Sequence, residues 1–355
     1  AAWAPGRCTL VGEHVDYVGG LVACIAIDLG VAVALRPSPD GGWRVASGRR
    51  RVERFTPESA GDIGDRIFAA AIALRDAGVA TVPVEVAVAA SLPEGAGLSS
   101  SAAVICAACA AFLRLQATTM GVRLLAATAL HAERDIVGVP VGPLDQRAVV
   151  EAPSGGVLIL DCRDGTSSSA PWPWSDVVLV ACDTGEEHDV GGDGYRRRRA
   201  QVEAGLQRLG VATCRDVESL DALPAAGLSD VEIRRVRHVV TETARTQEAV
   251  RALSDGDAML LGSIMASSHA SLRDDYEVST PALDATVAAA EAVRDCLGGR
   301  LVGAGFGGTA VALVRRAAAD ECRAAMEKAA GSGARSWVIH PAAGLAVASP
   351  DVVAG

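Results

Sequence analysis

The sequence predicts an α+β protein of two domains, and three observations carry that expectation. Short β-branched runs alternate with longer helical ones. A break rich in Ser, Pro and Gly, residues 164–174, has no hydrophobic period and divides the chain into 1–165 and 166–355. The length, 355 residues, suits two units of roughly 150 residues each. In chain order, 21–36 (LVACIAIDLGVAVALR) and 82–92 (VPVEVAVAASL) read as strands by alternation and β-branching, 65–78, 102–116 and 119–135 as helices, and 156–162 (GVLILDC) as a strand. Past the break, 177–183 (VVLVACD) is a strand, and a glycine-rich stretch at 190–194 precedes a helix over 195–209. Further helices cover 230–253 and 280–296. Strands 300–304 and 309–315 flank a glycine loop, and a helix over 317–330 leads to a last strand at 336–341. Chemistry is expected between the two units.

Composition excludes several classes. Half the residues are hydrophobic, as in a globular chain, and only 3% are aromatic, so small aliphatic side chains must build the core. The net charge is −10, and Lys328 is the sole lysine. Without a basic face or stacking aromatics the chain is no candidate for a nucleic-acid binder, and the arginine run 196–199 is too short to make it one. No apolar stretch reaches the roughly 18 residues of a membrane span, and residues 1–12 lack the form of a signal peptide, which predicts a cytoplasmic protein. Nine scattered cysteines read as reduced thiols; Cys106 and Cys109 form a CxxC, but in an alanine-rich helical run with no second ligand pair.

Three glycine-containing segments carry the chemistry. In 92–103 (LPEGAGLSSSAA), Gly95 and Gly97 allow a tight bend and close approach to a ligand, and Leu98, Ser99, Ser100 and Ser101 lead into a helix. Free N–H groups, hydroxyls and the positive end of a helix dipole suit a phosphate; a plain N-cap is the simpler alternative. The run 303–308 (GAGFGG) satisfies GxGxxG, but a β-branched strand follows where a dinucleotide site needs a helix. That loop is expected to line a ligand or to abut another backbone. In 4–20 (APGRCTLVGEHVDYVGG), Arg7, Glu13, His14 and Asp16 lie close together ahead of a buried strand, which suits polyol recognition. Glu133, on a helix, and Asp145, in the loop after it, could bind a metal near a phosphate or take a proton from a hydroxyl. There is no GxxxxGK[ST], and the single lysine is far from every glycine loop, so a P-loop enzyme is excluded.

These segments resemble the three motifs of the GHMP small-molecule kinases, in particular of the galactokinase family: PGRxNLxGEHxDYxxG, PxGxGLSSSAA and GGGFGG. Residues 131–146 (HAERDIVGVPVGPLDQ) and 268–285 (SHASLRDDYEVSTPALDA) resemble two further family segments, QAExxxxGxPCGIMDQ and SHxSLRDDYEVSxPELD. The resemblance implies the two-domain GHMP kinase fold and transfer of the γ-phosphoryl of ATP to the anomeric hydroxyl of a sugar. It implies Asp145 as the catalytic carboxylate and Arg7 as its charge partner. It makes Ser101 and Glu133 ligands of Mg²⁺, and Gly95, Gly97, Leu98, Ser99, Ser100 and Ser101 the phosphate loop. Glu13, His14, Asp16, Gly142 and Tyr195 match the sugar-binding positions. A mevalonate-type or homoserine-type kinase would share the second and third motifs but not GEHVDY and SLRDDYEVS. The implied partners are a sugar and ATP, with no nucleic acid or membrane, and the oligomeric state, monomer or homodimer, is left open.

Departures cluster near the sugar positions. Val15, Val18 and Val141 stand where the family has Thr, Asn and Cys, Pro143 and Leu144 precede Asp145, and Glu187 occupies a normally basic position ahead of His188. Reversing that charge changes how substrate and catalytic carboxylate are balanced and offers a hydroxyl another acceptor. The expected substrate is therefore a galactose-like sugar, or a longer one such as a heptose or octose. A non-catalytic sugar and ATP sensor is the alternative of another class, opposed by the complete serine-alanine loop.

Overall fold

Two sheets carry the fold. In the computed structural model, which describes residues 1–54, 61–62, 64–93, 95–186 and 193–347, the chain runs β1 (Ala2–Val11), β2 (Leu21–Pro37), β3 (Trp43–Ser47), β4 (Arg50–Arg54), α1 (Asp65–Asp76), β5 (Val84–Ala90), α2 (Ser100–Leu115), α3 (Val122–His131), α4 (Leu144–Glu151), β6 (Gly156–Asp161) and β7 (Thr166–Pro171). It continues through β8 (Val177–Asp183), α5 (Asp193–Leu209), α6 (Asp230–Asp255), α7 (Ala258–Asp274), α8 (Pro281–Glu291), β9 (Cys296–Val302), β10 (Thr309–Arg315), α9 (Ala319–Ala330), β11 (Arg335–Ile339), β12 (Pro341–Ala342) and β13 (Ala346–Val347). Among the described residues, nine strands form one sheet along the path β13-β1-β2-β5-β3-β4, with β12 and the β6–β7 hairpin attached to β2. Four more form an antiparallel sheet in the order β11-β8-β10-β9. The α+β expectation holds. Among the described residues, no helix is long and apolar enough to cross a membrane.

The first sheet and its helices are built with small side chains. In α2 every residue from Ala102 to Leu113 except Val104 is buried, and the helix lies against β1 and β2. An Ala- and Cys-rich helix presents little side-chain bulk, so it can sit deep in the core where aromatics are few. Cys106 and Cys109 belong to this packing: both are buried free thiols, and burial pushes Cys109 up to about 12.

Besides the short strands β3, β4 and β13, which the sequence did not suggest, four elements differ from the sequence expectation. Residues 164–174, expected to be irregular, contain β7, an exposed strand that pairs with β6 from Gly156↔Pro171 to Asp161↔Thr166. Its TSSSAP sequence has no apolar alternation, and most of its residues are exposed, only Ala170 being buried. Residues 2–11, to which the sequence assigned no element, form β1. Asp145, expected in a loop, lies in the first turn of α4. Finally α7, absent from the sequence reading, runs for 17 residues from Asp257, whose side chain accepts from Leu260 N. The chain end returns to the first sheet, β12 pairing with β2 and β13 with β1.

Candidate active site

The three glycine segments meet. Strand β1 is interrupted by register shifts between Pro5 and Arg7 and between Thr9 and Val11. Irregularities of this kind re-aim side chains beside active sites. Gly6 permits the first, since a Cβ there would lie 2.7 Å from Leu98 O. Arg7 then reaches two partners: Nη2 is 2.8 Å from Asp145 Oδ1, and Nη1 donates to Gly97 O at 2.6 Å. A backbone bond, Arg7 N to Leu98 O, ties the same strand to the serine loop. One guanidinium therefore joins the candidate catalytic carboxylate to the candidate phosphate loop.

The GAGFGG loop between β9 and β10 closes over both other segments. Gly303, Gly305, Phe306, Gly307 and Gly308 all have positive φ, a run that glycine makes possible. Gly303 N donates to Glu13 Oε1 at 2.7 Å, Ala304 O lies 3.0 Å from His14 Nε2, and Thr309 Oγ1 donates to Ala96 O at 2.6 Å. A Cβ on Gly303 would lie 3.1 Å from Gly97 O. The strand β10 follows with no helix, so the loop abuts backbone as expected and is no dinucleotide site.

The candidate sugar residues surround one cavity, lined by Arg7, Glu13, His14, Asp16, Gly142, Asp145 and Tyr195. Burial raises the pKa of Glu13 against the pull of Arg300 and Arg7, and drives Asp16 up to about 6, with Asp145 adding to the rise. Asp16 Oδ2 accepts from Leu144 N at 3.4 Å, and a Cβ on Gly142 would lie 1.9 Å from it. His14 has both ring nitrogens engaged, because Nδ1 is 2.9 Å from Tyr17 Oη, itself 2.7 Å from Tyr276 Oη. A carbonyl only accepts, so Nε2 carries the proton towards Ala304 and Tyr17 donates to Nδ1. Burial lowers this imidazole to about 3, which keeps that tautomer neutral. Tyr195, buried in the first turns of α5, stacks near His14 and Tyr17 at 5.7 and 5.9 Å between ring centroids. Glu187 and His188 lie outside the described residues.

The candidate phosphate and metal residues adjoin. Ser99 adopts φ 61 and makes no side-chain cap, so the N-cap alternative fails; its buried Oγ is without a hydrogen-bond partner among the described residues. Ser100 and Ser101 open α2. Glu133 sits in a π-helical segment, Ala132–Val137, that continues α3 and ends at Gly138. Such segments are frequent at functional sites. Burial pushes Glu133 up to about 7, with Ser101 the foremost opposing influence, and Gln146 Nε2 donates to its Oε2 at 2.5 Å. The Arg66 charge also opposes that rise. The donors around Glu133, a hydroxyl and carboxylates, are hard oxygens that suit Mg²⁺ bound together with phosphate and water.

Sequence reasoning missed the support behind the sugar cavity. Arg300, fully buried on β9, lies between two carboxylates, 3.7 Å from Glu13 and 4.0 Å from Glu242, and donates to Leu10 O. Glu242 accepts from Gly12 N and Ser268 Oγ, and His238 Nε2 is 3.2 Å from Glu13 O. The available signal was slight: Arg300 interrupts an otherwise apolar strand, whereas Glu242 is one of many charged residues on α6. The arginine run 196–199 also has an internal role, Arg198 donating to Tyr276 O and Glu277 O.

Comparison with known proteins agrees with this geometry. The GHMP kinases N terminal domain matches residues 65–152, the galactokinase galactose-binding signature 1–37, and the GHMP kinases C terminal domain 248–333. A galactokinase from Roseiflexus sp. (strain RS-1) is 38% identical over 332 residues, covering 90% of this chain and 84% of that protein. The chain belongs to the galactokinase family. A Homo sapiens member is 33% identical over 367 residues, covering 98% of this chain and 92% of its own. The crystal structure of Lactococcus lactis galactokinase complexed with galactose superposes with a TM-score of 0.92 at 27% identity, covering 97% of this chain and 94% of that one. Mevalonate kinase, at a TM-score of 0.71 and 16% identity, shares the fold alone. Within the galactokinase family, then, the match spans the sugar signature and both the N-terminal and C-terminal kinase domains.

Proposed function

We propose that the protein phosphorylates galactose at its C1 hydroxyl with ATP. One observation carries the reading: the Asp145 carboxylate, paired with Arg7, stands where the sugar cavity, the serine loop and the GAGFGG loop converge. Asp145 accepts or orients the proton of the anomeric hydroxyl. Arg7 compensates the carboxylate's charge and, through Gly97 O, fixes its distance from the phosphate loop. Glu13 and Asp16 accept from sugar hydroxyls, Gly142 and Tyr195 shape the wall, and His14, saturated by Tyr17 and Ala304, holds the third loop against them. The amides of Gly95, Gly97, Leu98, Ser99 and Ser100, with Ser101, bind phosphate oxygens. Ser101 and Glu133 would hold Mg²⁺, which when bound neutralises charge on the phosphates. Transfer of this kind needs chiefly positioning and charge compensation. The proposed units 1–165 and 166–355 meet in the turn of the β6–β7 hairpin, β7 and the chain end being lent back to the first sheet. Nine free thiols fit a reducing, cytoplasmic setting.

Neither the longer-sugar nor the sensor reading is favoured. The first rested chiefly on Glu187, outside the described residues, and the relatives above are galactokinases. An ADP-release assay across galactose, N-acetylgalactosamine, arabinose and longer aldoses should give galactose by far the highest kcat/KM. Asp145→Asn should abolish turnover while leaving ADP binding measurable. A heptose or octose exceeding galactose would overturn the substrate, and undiminished turnover in D145N would remove the role of Asp145.

A further inference from the structure

Beside the serine loop lies a second cavity of about 930 Å³, walled by Gly95, Ser100 and Ser101 on one side and by the start of α1 on the other. Arg66, in the first turn of α1, lines it. Its Nε donates to Ser101 Oγ at 2.6 Å. The carboxylates nearest in sequence are committed elsewhere: Asp62 and Asp65 both pair with Arg54, and each also accepts from a loop amide, Gly64 N and Gly61 N. Among the described residues, Arg66 makes no salt bridge, and neither Nη nitrogen has a hydrogen-bond partner. Its charge acts on Glu133, lowering that carboxylate's pKa against the effect of burial. A half-buried guanidinium anchored by one nitrogen, lining a cavity beside the serine loop and with its two other nitrogens unpartnered among the described residues, is a fork without its acceptor. In a chain with one lysine, such a cation is the natural complement to a polyanion.

We propose that Arg66 is a polyphosphate-binding residue of the nucleotide site, donating from its Nη nitrogens to phosphate oxygens while Ser101 holds Nε. The inference rests on the ATP-dependent reading above and adds to it a cation that does not depend on metal. Anchoring matters because a guanidinium already held at one nitrogen loses little further freedom on binding. The alternative is a purely internal link, Arg66 fastening α1 to α2.

Calorimetric titration of the full-length protein with ADP and with adenosine, in EDTA, separates the two. In Arg66→Met, which keeps the apolar stem, ADP binding should weaken about 10-fold or more, while adenosine binding stays within about 2-fold. The salt dependence of ADP binding should become shallower. Should R66M not fold, Arg66→Lys carries the same comparison: it keeps the charge but not the fork, so ADP should weaken by roughly 3-fold with adenosine unchanged. Equal losses for ADP and adenosine would establish the internal link and overturn the proposal, as would unchanged ADP binding. Galactose turnover by the unaltered protein is the separate check. If it is absent, the kinase reading itself falls; if it is present and ADP binds both proteins alike, only the role of Arg66 falls.

Discussion

A carboxylate in the cleft is placed as much by the small residue beside it as by its own partners. Asp16 accepts from Leu144 N and is otherwise confined by the absence of a side chain at Gly142. The φ of Gly142 is not positive, so its backbone would tolerate alanine and the penalty is steric alone. With a Cβ set 1.9 Å from Oδ2, Asp16 must move by about 1 Å or more. Gly142→Ala should therefore lower kcat/KM for galactose by roughly 10- to 100-fold through a misplaced hydroxyl acceptor, with ADP affinity unchanged. Steady-state kinetics on the sugar beside ADP titration would check this, and a matching loss for ADP would contradict it. At this scale most of the site was legible. Arg7, Glu13, Asp16 and Asp145 announced themselves as ionisable groups in apolar or glycine-rich surroundings. Arg66, Arg300 and Glu242 did not, because the backbone or hydroxyl groups that give each its place in the site, Ser101, Leu10 and Gly12, are remote in sequence.

Elements were legible where apolar pattern and pairing coincide. β2 and β5 alternate and pair along their shared length, Val31↔Ala90 to Pro37↔Val84, and both were expected within a few residues. β1 was hidden by Pro5, Gly6 and its two register shifts, the same features that aim Arg7 at Asp145. α4 was hidden by VGPLDQ, although Pro143 immediately before Leu144 is itself a helix-start signal. α7 was hidden by small residues, and Gly262 shows why they are there. A Cβ at 262 would stand 2.1 Å from Leu297 O, and one at Gly298, φ 156, would stand 2.0 Å from Gly262 O. Helix α7 thus lies backbone to backbone on β9, the strand that carries Arg300. Gly262→Ala cannot relieve this clash through a rotamer, because the obstacle is a carbonyl. It should destabilise the protein by about 3 kcal/mol, read as a lowered denaturant midpoint at unchanged m-value. A midpoint within error of the parent would contradict the close approach.

Across the whole molecule, the second sheet and its helices grip the sugar segment through buried charge. Glu242 on α6 bonds Gly12 N, Arg300 on β9 bonds Leu10 O, and His238 on α6 approaches Glu13 O. All three are fully buried. Burial lowers His238 from the ordinary 6.5 to about 4, so between those values the unfolded chain binds a proton that the folded chain refuses. Its contribution is complete above pH 6.5 and is lost as pH falls towards 4, at up to about 1.4 kcal/mol per pH unit. Asp16 and Glu133, raised to about 6 and about 7, act with the opposite sign across much of the same window, and the lowered His14 and His269 with the same sign, so the protein's own stability profile mixes opposed contributions. Comparison with a variant removes that masking, since these four groups are common to the pair. His238→Gln should be clearly less stable than the parent at pH 7, having lost a buried hydrogen-bonding ring. Its deficit should shrink by up to about 3 kcal/mol as pH is lowered to 4, because only the parent must keep an imidazole at position 238 neutral against the solvent. Denaturant unfolding of both proteins at half-unit steps measures the difference directly. Parallel stability curves would show that His238 titrates in the folded protein as it does in the unfolded chain, and that the grip between the second sheet and the sugar segment does not depend on its neutral form.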